Sequence, residues 1–218
     1  FNSPVEKAAK LIVESKQLLD NENVVLTPHN AFNSIESITE EEVIKYGDSE
    51  YLERCLKFYE EANIWAHGIN EKEENIPSKI RGWLEEYKPN IVIITGHDAY
   101  YKRKGRMDDV NSYKNSFNFV NAVKEARLYE KEHDKLIIIA GACQSNYEEL
   151  IKAGANFASS PKRINIHALD PAIIATKVSL SPVSKDIDLK AILDKTKYGP
   201  SGIGGIITKG TMYVGYPR

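Results

Sequence analysis

The chain has 218 residues, enough for one sizeable domain or two small ones. Its 42% hydrophobic and 28% charged residues are the mix of a soluble globular protein. A formal net charge of −2 gives no reason to expect nucleic acid or an anionic membrane surface as partner. The longest apolar runs, about five residues, are far short of a membrane span.

Phe1, rather than Met, stands first, and no charged-then-apolar leader follows it. The expectation is a fragment or processed product with something missing upstream. In chain order, the stretch SPVEKAAKLIVESKQLL has a weak helical period and a Ser3-Pro4 start suited to a helix N-terminus. Residues 20–40 are Asn-rich and polar and read as a loop, so residues 1–40 form an N-terminal helix-and-loop region. From residue 41 short apolar runs alternate with amphipathic segments, as in βαβ units around a parallel sheet. The predicted strands are 41–47, 63–69, 90–96, 135–141 and 155–160. IVIIT and LIIIA are apolar throughout, as expected when helices cover both sheet faces. The predicted helices are 49–61, 77–87, 112–131 and 145–153. In the second, Ile76, Ile80, Trp83 and Tyr87 recur at helical spacing, with Pro77 in the first turn and Pro89 at the stop. The tail, 181–218, reads as loop plus a hairpin. Its GIGGI lacks the lysine of a phosphate loop and precedes a β-like stretch, so it is not read as one.

In an open parallel sheet, reactive groups gather at the carboxyl ends of the strands. Two predicted neighbouring strands run into TGHDAY and GACQS, which delivers His97 and Cys143 to the same sheet edge. A thiol and an imidazole are what thiol acyl transfer needs, one to attack a carbonyl and the other to manage protons. Their separation of 46 residues, histidine first, is close to the roughly 50 of caspases. Ser145-Asn146-Tyr147-Glu148 fits a capping box, so a helix is expected from Ser145, with its N-terminus stabilising a Cys143 thiolate. The backbone N–H groups of Cys143 and Asp98 are the candidate oxyanion hole. Taken alone, a cysteine after a buried strand is a small core residue; the paired histidine, the spacing and the cap favour a dyad.

The other candidates read differently. Cys55 lies mid-helix and packs in the core, and both cysteines are expected as free thiols in a reducing compartment. No CxxC or HxxxH spacing exists, so neither a metal site nor a cofactor is expected. His29 and His133 belong to loops, and His67 ends a strand. His167, near Asp170, is the rival partner for Cys143, although Asp170-Pro171 reads as an N-cap with Pro at the first helical position.

The stretches ITGHDAYYK and LIIIAGACQSNYEELIKAGANFASSPKRINIHALDP, with the GIGGI tail, closely resemble the YabG family, sporulation-specific proteases of spore-forming bacteria. The likeness runs from about Ile44 to the C-terminus and is densest over 91–171. It implies a three-layer, caspase-like α/β fold, mostly parallel sheet with helices on both faces, over residues 41–218. The family's small N-terminal β domain is not recognised in this chain. It further implies a cysteine endopeptidase of the mother-cell cytoplasm, associated with the developing coat. Such an enzyme trims spore-coat and other sporulation proteins after arginine, with Cys143 as nucleophile and His97 as general acid/base. Caspase-like peptidases usually have Gly after the histidine; here Asp98 follows, leaving a backbone N–H but also a side chain to be accommodated.

Arginine selection requires a carboxylate at the base of a pocket. Asp48, which also reads as an N-cap, is the first candidate and Asp170 the second. The basic run 100–109 reads as a flexible, proteolysis-prone loop in which Arg103 and Arg106 are candidate self-cleavage points. The alternatives are a glutamine amidotransferase-like hydrolase, which would need a histidine downstream of Cys143 with a carboxylate two residues beyond, where His167 is followed instead by Ala168 and Leu169, and a non-catalytic coat scaffold.

Overall fold

The structure, a computed structural model, describes the backbone of residues 21–26 and 48–50 and all atoms of 51–213. In chain order the elements are β1 (Asn21–Leu26), α1 (Asp48–Glu61), β2 (Ile64–Gly68), α2 (Ile76–Tyr87), β3 (Ile91–Ile94), α3 (Ser116–Tyr129), β4 (Ile137–Ala140), α4 (Tyr147–Ala153), β5 (Phe157–Ser159), α5 (Asp170–Ser179), α6 (Leu189–Leu193) and β6 (Ile203–Gly205). They form one sheet in the order β2-β1-β3-β4-β5-β6, parallel except for β6, which runs antiparallel to β5 at the edge.

The period of two along each strand sorts the core into two layers. Ile91, Ile93, Ile137 and Ile139 face α1, α5 and α6, together with Cys55, Phe58, Tyr59, Ile173 and Ile174. Val92, Ile94, Ile138 and Ala140 face α2, α3 and α4, against Ile80, Leu84, Phe119, Val123 and Leu150. Every residue of β3 and β4 is buried, which their unbroken apolar runs require once both faces are covered. Each large aliphatic side chain buried this way stabilises the fold by about 1.5–3 kcal/mol. The architecture is therefore three-layer α/β with a mostly parallel sheet.

Helix boundaries follow from local chemistry. In α2, Ile76, Ile80 and Leu84 form the buried stripe and Pro77 sits in the first turn. Lys88 then turns left-handed (φ 47°) and donates its N–H to the Leu84 carbonyl, and Pro89 follows. Helix α3 starts at Ser116 rather than 112, because residues 110–112 form a separate 3₁₀ turn capped by Asp109. Helix α4 starts at Tyr147 rather than Ser145. Its cap is Asn146, whose side chain accepts the Glu149 N–H at 3.3 Å, because the Ser145 hydroxyl is committed elsewhere. Asp170 is the first residue of α5 rather than its cap, which is Leu169.

Two expectations are corrected. Residues 21–26, inside the segment read as a loop, form the strand between β2 and β3. Val24-Val25-Leu26 is too short an apolar run to signal a strand locally; the ladders on both sides complete it. The tail is not a loop with a hairpin: it carries α6, and β6 pairs with β5 far upstream. That pairing needs Gly205, because a Cβ there would lie 2.5 Å from Phe157 and 2.7 Å from the Asn156 carbonyl. The expected opening helix and the strand over 41–47 lie outside the described residues.

Candidate active site

The ladder between β3 and β4 places the two candidate catalytic residues. Ile94 pairs with Ala140, the Gly141 N–H donates to the Ile94 carbonyl at 2.9 Å, and the Thr95 hydroxyl donates to the Gly141 carbonyl at 3.0 Å. The 46-residue offset of this register is the separation of His97 and Cys143, so each stands three residues beyond the paired strand ends. Both leave the sheet at its carboxyl edge, on neighbouring strands. The backbone of His97 is pinned from two sides: its N–H donates to Glu73 Oε1 at 2.7 Å, and its carbonyl accepts from Asn115 Nδ2 at 2.9 Å.

Cys143 occupies a strained turn. Gly141 has φ +101°, where a Cβ would meet Leu150 Cδ1 at 2.8 Å, and Gln144 is left-handed at φ 58°. A non-glycine residue held there costs of order 1–3 kcal/mol and persists only where its surroundings fix it. They do so here. The Gln144 N–H donates to the Ile164 carbonyl and to Ser160 Oγ, each at 3.1 Å. Its side-chain oxygen accepts the Tyr100 N–H at 3.3 Å, and its Nε2 donates to Asn165 Oδ1 at 3.4 Å. Gln144 thus ties the turn both to the loop after His97 and to the segment after β5.

That segment covers the thiol. Cys143 is 9% exposed and packs with Tyr51, Ile166 and Ala168. Its Sγ accepts the Ile166 N–H at 3.4 Å and lies 3.8 Å from the Ile166 carbonyl. Burial pushes the thiol above its ordinary range. The N–H groups of Ile166 and of Cys143 itself pull it back in part, and the Asp98 and Asp170 carboxylates push it further up. The expected activation by a helix N-terminus is outweighed: α4 has only seven residues and begins four positions past the sulfur. The Cys143 thiol is therefore held in its protonated form.

Asp98, singled out in the sequence for its backbone N–H, is buried, and its carboxylate accepts from four donors. Oδ1 takes the N–H of Ala99 at 2.9 Å and of Asn115 at 2.8 Å. Oδ2 takes the hydroxyls of Ser116 and, at 2.9 Å, of Ser145. Both serines pass the network on, for Ser116 Oγ accepts the Asn146 N–H and Ser145 Oγ accepts the Ala142 N–H, each at 2.8 Å. Burial pushes the carboxyl pKa up while these hydrogen bonds pull it down.

The remaining candidates lie elsewhere. Asp48 opens α1, and its side chain lies outside the described atoms. Asp170 is fully buried, its oxygens accepting the N–H of His167 at 3.1 Å and of Lys197 at 2.9 Å. His167 is 7% exposed, and its Nδ1 accepts the Leu169 N–H at 3.2 Å. Burial, with Lys197 nearby, pushes its pKa down to about 4, so it is a neutral imidazole near pH 7. It lines a groove of about 370 Å³ with Tyr51, Arg54, Phe58 and Leu169. Cys55 is buried in α1 with its thiol pushed up to about 12 by burial, and His67 stacks on Tyr87. His133 stands 3.4 Å from Arg127, and His29 lies outside the described residues. The basic run is exposed but closed at its neck, where Tyr101 N–H donates to Ser112 O and Lys114 N–H to Ala99 O. Among the described residues no three His, Cys, Asp or Glu side chains are grouped to hold a metal ion, and no helix is long and apolar enough to cross a membrane.

Sequence reasoning missed Glu73, the bridging role of Gln144 and the Ile166 cover, none of which carries a local signal. For Asp98 the signal was a carboxylate directly after His97, which reads in the sequence as a side chain to be accommodated rather than as a tie.

The chain is 46% identical over 171 residues to the sporulation-specific protease YabG of Bacillus subtilis (strain 168), an alignment that covers 78% of this chain and 59% of that protein. The chain thus spans well under two thirds of its relative's length. An ABC transporter solute-binding protein from Burkholderia multivorans aligns over 95% of this chain and 57% of its own at 11% identity, with a TM-score of 0.36, too low to carry an argument. The family model described as YabG peptidase U57 matches residues 5–217, nearly the whole chain, and the chain belongs to that family.

Proposed function

We propose that this chain is the peptidase part of a cysteine endopeptidase that cuts spore-coat and other sporulation proteins after arginine in the mother-cell cytoplasm. The observation that carries the reading is the register that puts His97 and Cys143 three residues past the paired ends of adjacent parallel strands. Membership of the YabG peptidase family and the name of the 46% identical relative, a sporulation-specific protease, support the same reading. A parallel sheet with one antiparallel edge strand, and histidine before cysteine on neighbouring strands, supports a caspase-like assignment.

Because burial keeps the thiol protonated, His97 acts as the base during attack rather than as partner of a standing thiolate. The Cys143 sulfur adds to the scissile carbonyl as its proton passes to the His97 imidazole. The oxyanion is held by the backbone N–H groups of Cys143 and Asp98. His97 then gives the proton to the leaving amine, and a thioester remains. Water, deprotonated by His97, hydrolyses it and releases the carboxylate and the free thiol. The substrate reaches the sulfur by taking the place of the Ile166 backbone now against it. We assign arginine selection to Asp48 before Asp170, because Asp170 is fully buried and both its oxygens already accept backbone N–H groups.

The test is to mix the purified chain with an arginine-containing protein and map the products by mass. Products should end in arginine. Cys143→Ala and His97→Ala should each abolish cleavage, the double variant should be little worse than either single, and Cys55→Ala should stay nearly intact. Asp48→Asn should lower the rate on arginine substrates by about one to two orders of magnitude. Cleavage that persists in Cys143→Ala removes the cysteine mechanism. A folded His167→Ala as inactive as His97→Ala would point instead to an amidotransferase-like pairing.

A further inference from the structure

A buried carboxylate one residue from the candidate base, with every lone pair engaged, requires an explanation beyond filling space. Burying an ionised carboxylate is costly unless it is fully hydrogen-bonded, and a fold has cheaper ways to close a loop. All four partners of Asp98 donate, so the network is complete only with the ionised form. The donors come from three places: the loop carrying His97 (Ala99), the start of α3 (Asn115, Ser116) and the turn carrying Cys143 (Ser145). Asn115 also holds the His97 carbonyl through its side chain, and Ser145 also holds the Ala142 N–H next to the cysteine. One carboxylate therefore reaches the backbone on both sides of the site through one intervening residue each.

We propose that the Asp98 side chain is the positioning group of this site, setting the His97 loop and the Cys143 turn at the separation the reaction needs. The inference rests on the assignment of His97 and Cys143 as the reacting pair. Asp98 itself touches no reacting atom through its side chain. Its loss should act on the alignment reached in the transition state, with substrate binding little affected.

The experiment uses the full chain with an arginine peptide substrate, beside Cys143→Ala as the inactive control. Asp98→Asn keeps the volume but cannot accept from all four donors. It should lower kcat about 10- to 100-fold while KM changes by less than about twofold. A small uncharged alkylating reagent should still label Cys143. The pH midpoint of that labelling should move down, since of the two carboxylates that raise the thiol, Asp98 and Asp170, one has lost its charge. Cys55, in the core of α1, should stay unlabelled. If Asp98→Asn does not fold, Ser145→Ala is read the same way. It keeps the carboxylate and three donors, and its kcat should fall about 3- to 10-fold. A dead Cys143→Ala beside a fully active Asp98→Asn, or a folded Ser145→Ala with unchanged kcat, overturns the positioning role and leaves the dyad standing. Labelling of Cys55 that rises in step with the loss of cleavage assigns Asp98 to the fold alone and likewise overturns it. An active Cys143→Ala removes the dyad and the proposal together.

Discussion

His167 should make the stability of this protein fall as the solution is acidified, and the size of the effect follows from its surroundings. The ring is 7% exposed, and its Nδ1 lone pair accepts the Leu169 N–H, so the folded chain holds it neutral, with a pKa of about 4. In the unfolded chain it titrates near 6.5. Because the folded pKa is the lower one, the unfolded state takes up the proton first as pH drops. The stabilisation is fully present above about pH 6.5 and is lost as pH falls toward about 4. The full shift corresponds to about 3 kcal/mol, of which about 2 kcal/mol is lost between pH 7.5 and pH 5. Urea unfolding of the wild type and of His167→Gln at both pH values isolates this share. Other titrating groups, such as Asp98 with its raised pKa and His133 with its lowered one, are common to both proteins and cancel in the difference. The variant should lose about 2 kcal/mol less than the wild type on acidification. An identical pH slope in the two proteins would show that His167 is not held neutral by burial.

Two further outcomes follow from the same structure. In the native protein a small alkylating reagent should modify Cys143 and leave Cys55 untouched, because burial in the core of α1 pushes the Cys55 thiol up to about 12; peptide mass mapping reads this, and equal labelling would refute it. Gly141→Ala places a Cβ at φ +101° and 2.8 Å from Leu150 Cδ1, so it should cost about 2–4 kcal/mol in urea unfolding and slow cleavage through the Cys143 turn; a neutral Gly141→Ala would show that the turn has room and freedom it is not credited with here.

Much of the scaffold was legible in the sequence because its signals are contiguous. The apolar runs around 91–94 and 137–140 require two covered faces whatever they pack against. The recurrence of Ile76, Ile80, Trp83 and Tyr87, with Pro77 in the first turn and Pro89 at the stop, marks α2 from within fifteen residues, although the fully buried stripe is Ile76, Ile80 and Leu84. The same runs, read as neighbouring parallel strands, put His97 and Cys143 at one sheet edge. What only the tertiary structure decided depends on partners distant in sequence. Val24-Val25-Leu26 becomes a strand because β2 and β3 each offer it a ladder. The cap of α4 moves from Ser145 to Asn146 because Asp98, 47 residues upstream, takes the serine hydroxyl. The Cys143 thiol is raised because Ile166, 23 residues downstream, closes over it and burial outweighs a short helix's dipole. Hydrogen-bond capacity is written in each residue, but its use is settled by which donors and acceptors folding brings within about 3 Å, and a local period carries no record of that.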